Sequence, residues 1–152
     1  MARTSKRFPG SPPTRTRTPI VYWIVAVIAL LGLADATFLT VAHLTGDDAV
    51  CGSFAGCSAV LGSAYATIKG IPTAAFGAMA YFTVFSAAIL AAFGDARMRG
   101  FLFAVVAAMF IASLYFLYLQ AFVLHAFCPF CLFSAAMTFL LAGLLVALPA
   151  PR

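Results

Sequence analysis

The chain has 152 residues, of which 64% are hydrophobic and only 9% charged, with a formal net charge of +5. Soluble domains carry about 25% charged residues, so this chain lacks the charges to cover a water-facing surface. That excludes a soluble globular domain and a wholly disordered chain, and leaves a polytopic helical membrane protein.

Residues 1–19 form a polar tail holding Arg3, Lys6, Arg7, Arg15 and Arg17 among four prolines. Such a segment buries too little apolar area to fold, and it reads as disordered. The first apolar run covers residues 20–44, interrupted by Asp35 and scattered Thr and His. A polar loop, 45–56, follows. In residues 58–69 the apolar Val60, Leu61, Ala64, Tyr65 and Ile68 recur at helical spacing, which predicts a short helix lying at the membrane interface. Gly70 and Pro72 then turn the chain into a second run, 71–93. A short charged turn, 94–100, leads to a third run, 101–127, and residues 131–148 make the fourth. The expected fold is an all-α four-transmembrane-helix bundle over residues 20–148, with 149–152 as a short end.

Charge sets the orientation. Of nine Lys and Arg, five lie in the tail, two in the 94–100 turn and one at the C-terminus; Lys69 alone falls on the other side. The positive-inside rule puts both termini in the cytoplasm and the loop at 45–56 outside. The basic tail is then an orientation signal, and no nucleic-acid partner is implied.

The four cysteines, Cys51, Cys57, Cys128 and Cys131, all fall in or beside the two outward connections. Outside a bacterial inner membrane the medium is oxidising, so thiols there form disulfides. In Cys128-Pro129-Phe130-Cys131 the proline suits the first helical turn, and a helix N-terminus stabilises a thiolate, the attacking species in disulfide exchange. His125 is either an ordinary interfacial histidine or, when protonated, a nearby positive charge. Three uses of the cysteines compete: two fixed structural disulfides in a non-catalytic membrane protein, a four-thiolate zinc site, and a relay. C-x5-C is a poor zinc knuckle. In the relay the loop pair collects electrons from outside and the helix pair passes them into the membrane, two electrons and two protons at a time, as a quinone accepts them.

The residues resemble the bacterial vitamin K epoxide reductase (VKOR) family. The resemblance runs through Gly32-Leu33-Ala34-Asp35-Ala36-Thr37-Phe38-Leu39, the loop pair, and Cys57-Ser58-Ala59-Val60-Leu61-Gly62-Ser63. It continues through Gly70-Ile71-Pro72-Thr73-Ala74-Ala75-Phe76-Gly77 and Cys128-Pro129-Phe130-Cys131. In the other quinone-linked disulfide generator, the DsbB family, C-x2-C lies in the first outer loop, an order that does not fit here.

The resemblance implies a quinone-dependent thiol-disulfide oxidoreductase that supports disulfide formation, with ubiquinone or menaquinone as acceptor. Cys131 matches the cysteine that reacts with quinone, and Cys128 its partner. Cys57 matches the loop cysteine that attacks Cys128, and Cys51 the one attacked by the outside partner. Ser63 matches a hydroxyl near the site. Thr73 stands where animal members have an asparagine that hydrogen-bonds quinone. Where they carry a tyrosine after the second C-x2-C cysteine, this chain has Ala135, which argues against epoxide reduction. With no fused thioredoxin-like domain within these 152 residues, the expected thiol partner is a separate extracytoplasmic thioredoxin-fold (DsbA-like) protein.

Asp35 lies about 15 residues into the first span, roughly 22 Å along it at 1.5 Å per residue, on the cysteine side of the midplane. A carboxyl there is costly unless neutral, paired or hydrated, so it is either a proton donor or hydrogen-bond partner at the quinone site or a structural interhelical group. Gln120, Tyr115, Tyr118 and Tyr81 read as interfacial anchors and core packing.

Overall fold

The structure, a computed structural model, describes residues 17–46 and 51–148. Most of the expected polar tail (1–16), part of the first loop (47–50) and the end (149–152) lie outside the described residues. Four helices are long and apolar enough to cross a membrane: Pro19–Thr45, Thr73–Ala92, Ala96–Val123 and Pro129–Ala147. The protein is an all-α membrane protein, and no more than 33% of each span's most apolar stretch is buried inside it. The outward remainder is large and apolar, with Trp23, Val27, Leu30, Phe82, Ile111 and Val146 all exposed, as a lipid-facing surface requires.

α1 (Arg17–Thr45) packs most extensively against α3 (Thr73–Ala92) and also against α5 (Pro129–Ala147); α4 (Ala96–Tyr118) packs against both α3 and α5. The seam is built from small residues: Ala26, Ala29 and Ala36 on α1 meet Ala87, Ala88 and Ala91 on α3 in one buried cluster with Tyr22, Val25, Tyr81 and Val84. Between apolar helices in lipid, close van der Waals approach replaces the hydrophobic drive, which is why small side chains line the contact. Gly32 is the extreme case, since a Cβ there would overlap the Tyr81 ring.

α3 and α4 are joined by a tight turn. Asp95 caps α4 by accepting from Arg97 N–H at 2.9 Å, so an acidic residue inside the charged turn starts the third span.

The segment expected as one helix over 58–69 is divided. α2 covers Ala55–Leu61 and stops at Gly62; a single 3-10 turn, Ala64–Ala66, follows. β1 (Thr67–Ile68) then pairs antiparallel with β2 (Ile71–Pro72). Lys69 at φ 52° and Gly70 at φ 84° supply the two positive φ angles of a tight hairpin turn, and β-branched Thr67, Ile68 and Ile71 suit its strands. The third span also ends earlier than its apolar run. After Tyr118 the helix widens into a π turn, Leu119–Val123, closed by Leu124 N–H on Leu119 O at 2.8 Å. The chain then bends through His125, at φ 49°, and reaches Cys128 as a non-helical connector.

Candidate functional site

The cysteines gather at one end of the bundle. Cys51 sits in a turn closed by Phe54 N–H on Cys51 O, and α2 begins directly after it. The Cα atoms of Cys51 and Cys57 are 5.5 Å apart and their sulfurs form a disulfide; Cys128 and Cys131 carry free thiols. Cys51, Cys57 and Cys128 are buried in a single cluster, against which Cys131, Phe130, Val60 and Leu61 pack.

The close approach of loop and helix pair depends on Gly56. A Cβ there would overlap the carbonyl oxygen of Phe127, with Phe127 C and N both 3.1 Å away. Backbone therefore lies on backbone, one residue before Cys57 on one side and one before Cys128 on the other.

Cys128 is the N-cap of α5. Pro129 occupies the first turn, Leu132 N–H donates to Cys128 O at 3.0 Å, and Cys131 N–H points at Cys128 Sγ at 3.5 Å. The C-x2-C spacing thus puts the first sulfur where a serine or threonine cap would accept a hydrogen bond from the third helical residue. The Cys128 thiol is held below its ordinary value, at about 7, mainly by the hydrogen bond from the Cys131 thiol; the N–H groups of Cys131 and Phe130 add to this, and burial opposes it. The helix N-terminus adds to the Cys131 thiol in favouring the thiolate on Cys128. His125 is exposed and makes no hydrogen bond among the described residues.

Cys131 is half-buried and opens on a cavity of about 540 Å³ between α1, α3, α4 and α5, roofed by residues 60–73. A profile of the vitamin K epoxide reductase family matches residues 23–146, which span every element just described. The chain belongs to the vitamin K epoxide reductase family. It is also 35% identical over 118 residues to the thiol-disulfide oxidoreductase LTO1 of Arabidopsis thaliana, covering 70% of this chain and 31% of that protein. The chain thus spans about a third of that relative's length.

Of the residues the VKOR resemblance singled out, Ser63 and Thr73 both line the cavity, as does Ala135 on the α5 wall. Their hydroxyl protons are engaged: Ser63 Oγ donates to Val60 O at 2.7 Å and Thr73 Oγ1 to Tyr65 O at 3.0 Å. Both face the cavity as acceptors. Asp35 is not among the lining residues, although Ala36 beside it is. The Asp35 Oδ2 atom is buried without a hydrogen-bond partner among the described residues.

Two residues read from sequence as anchors or packing turn out to be polar parts of this end. Tyr81 is buried, and its hydroxyl donates to Ser134 O at 2.6 Å while lying 3.0 Å from Thr138 Oγ1. Gln120 is 3% exposed, and its Oε1 accepts from Cys128 N–H at 2.9 Å. The sequence signal for Gln120 was its position: a carboxamide inside an apolar span requires a partner.

The cavity suits a quinone. Its volume lies within the roughly 300–1,000 Å³ range of small-molecule sites, its wall is mostly apolar, and the free thiol of Cys131 sits on that wall.

Proposed function

We propose that this protein is a quinone-dependent thiol-disulfide oxidoreductase of the bacterial cytoplasmic membrane that oxidises a separate extracytoplasmic thioredoxin-fold, DsbA-like partner and so supports disulfide formation. One observation carries the reading: the Cys51–Cys57 disulfide shares a buried cluster with the free thiol of Cys128, and its neighbour Cys131 opens on the apolar cavity. The thiol-disulfide activity in the name of the Arabidopsis relative points the same way. The charge distribution supports cytoplasmic termini and outward cysteines.

The partner's thiolate attacks the Cys51 sulfur and displaces Cys57 as thiolate. The partner's second thiol resolves the mixed disulfide, leaving the partner oxidised and both loop cysteines reduced. Cys57 then attacks Cys128 of a Cys128–Cys131 disulfide, Cys131 leaves as thiolate, and Cys51 resolves the Cys57–Cys128 bond. The pairing in the structure, loop joined and helix pair free, is the state that this transfer leaves. A stabilised thiolate at Cys128 makes it a good leaving sulfur when the loop pair resolves. Quinone bound in the cavity supplies the two-electron, two-proton acceptor. Cys131 on the wall is the thiol in reach of it, and Ser63 and Thr73 present acceptor oxygens; Asp35, off the wall but next to the lining residue Ala36 and unpaired at Oδ2 among the described residues, is the proposed proton donor or hydrogen-bond partner.

The test is quinone reduction by the purified protein with a reduced thioredoxin-fold donor, run beside Cys131→Ala and Cys51→Ala. Wild type is expected to turn over, Cys131→Ala to be inactive with every donor, and Cys51→Ala to recover with dithiothreitol. A wild-type protein inactive with every quinone and thiol donor tried overturns the reading and favours a fold with fixed cysteines.

A further inference from the structure

Building on the quinone reading, we infer that Gln120 is a hydrogen-bond donor to the electron acceptor, its Nε2 amine holding a carbonyl oxygen of the quinone while its Oε1 is tied to Cys128. Gln120 lies in the π turn that ends the third span, a local widening that recurs at functional positions in helices. Its backbone carbonyl accepts from Ala126 N–H at 3.1 Å, so the residue is fixed by its main chain as well as its side chain. The amide orientation is determined. A backbone N–H can only donate, so the carboxamide atom 2.9 Å from Cys128 N must be the oxygen, and the amine faces the other way.

That amine has no hydrogen-bond partner among the described residues, on a side chain that is 97% buried and lines the cavity. The amine is not among the fully buried unpaired atoms, of which the described residues hold only Asp35 Oδ2, so it lies open to the cavity, where a ligand can supply its acceptor. Four other hydroxyls on the wall have spent their protons, Ser63 on Val60 O, Thr73 on Tyr65 O, and both Tyr81 and Thr138 on Ser134 O, while Ser113, Ser134 and Tyr65 also line the cavity. A quinone carbonyl accepts and cannot donate, and Gln120 differs from those hydroxyls in that its oxygen is tied to Cys128, which fixes where its amine points. The acceptor held there also lies at the start of α5, beside the redox thiols.

The balance is simple. Two thiols, Cys128 and Cys131, become one disulfide, and their two electrons and two protons convert the two carbonyls of the acceptor to hydroxyls. Gln120 transfers nothing; its N–H stabilises negative charge arriving on the oxygen it holds. A purely structural Gln120 would only satisfy Cys128 N–H.

The sequence contains one glutamine and no asparagine, so the side-chain NH2 signals of the 15N-labelled protein all come from Gln120. Titrating the oxidised, full-length wild type in detergent with a short-chain benzoquinone is expected to move one of those two proton signals downfield as the site fills. The second arm is binding of the same benzoquinone by calorimetry. Gln120→Met, lacking donor and acceptor, is expected to bind about 3- to 10-fold more weakly. Gln120→Glu keeps an oxygen for Cys128 N–H and donates only when protonated, so its affinity should fall as pH rises while wild type stays flat. Wild type that binds the quinone with unmoved NH2 signals overturns the inference and leaves the quinone reading standing. Gln120→Glu with wild-type affinity at every pH does the same. Wild type that neither binds nor reduces quinone overturns both.

Discussion

Replacing Gly56 with alanine should separate the two cysteine pairs while leaving each chemically intact. The added Cβ would overlap Phe127 O, a backbone atom with no flexible side chain to yield, and ordinary contact begins at 3.4 Å. Relief requires the start of α2 and the 127–128 connector to part by about 1 Å, a misplacement of the size that costs reacting groups roughly 100-fold in rate. The strain falls between Cys57 and Cys128, one residue from each. Exchange between the pairs should therefore slow by about 10- to 100-fold, at a stability cost of about 1–3 kcal/mol. The assay is acid-quenched thiol trapping after reduced partner is mixed with fully oxidised protein, counting free thiols on each pair against time. Reduction of the loop pair should proceed at the wild-type rate and its reoxidation by Cys128–Cys131 should lag. Gly100→Ala is the matched control, since a Cβ there meets nothing within 4 Å. Gly56→Ala that folds and relays electrons at the wild-type rate would refute the claim that this backbone contact aligns the pairs.

In protein whose loop cysteines are replaced by alanine, thiolate ultraviolet absorbance should rise with pH about a midpoint near 7, because the Cys128 anion is favoured above that value and lost below it. Cys131→Ala removes the principal donor to that sulfur and should move the midpoint upward; an unmoved midpoint would assign the effect elsewhere. Gly32→Ala drives a Cβ into the Tyr81 ring and should cost about 1–3 kcal/mol in denaturant unfolding, a cost that shrinks in a Tyr81→Leu background through the shared contact. Asp35→Asn should lower the rate of quinone reduction while leaving partner-driven reduction of the loop pair unchanged, and an unaltered rate of quinone reduction would remove Asp35 from the quinone site.

The legible parts of the fold were those set by composition and by single-residue chemistry. Four apolar runs separated by polar breaks gave four spans because the bilayer demands nothing more specific of a lipid-facing helix. Cys128 as a helix start was readable because Pro129 has a strong positional preference and the spacing to Cys131 is local. Residues 58–69 were misread because five apolar residues at helical spacing outweighed Gly62 and Gly70, and only the pairing of Thr67 with Pro72 reveals a hairpin. The third span was overextended because apolar composition continues through a helix end that a π turn produces without changing hydrophobicity.

What stayed hidden about the site has one physical cause. Gln120, Tyr81 and Gly56 act through groups distant in sequence: Gln120 on Cys128 across the π turn, Tyr81 on Ser134 in another helix, Gly56 on Phe127. None of these pairs has a helical or strand period, so pattern reading placed the residues in bland roles. The four cysteines stood out in the sequence because thiols clustered at one end of a membrane bundle have few uses. The groups beside them are a carboxamide that accepts from Cys128 N–H and a missing side chain next to Cys57, each common in ordinary packing. In a membrane interior that ambiguity narrows once coordinates are available, because polar groups there must be satisfied. Tyr81 is satisfied by Ser134 and Thr138 and is explained by structure. Gln120 is satisfied at its oxygen, with its amine left over on the wall of a cavity, and a ligand with a carbonyl accounts for the difference.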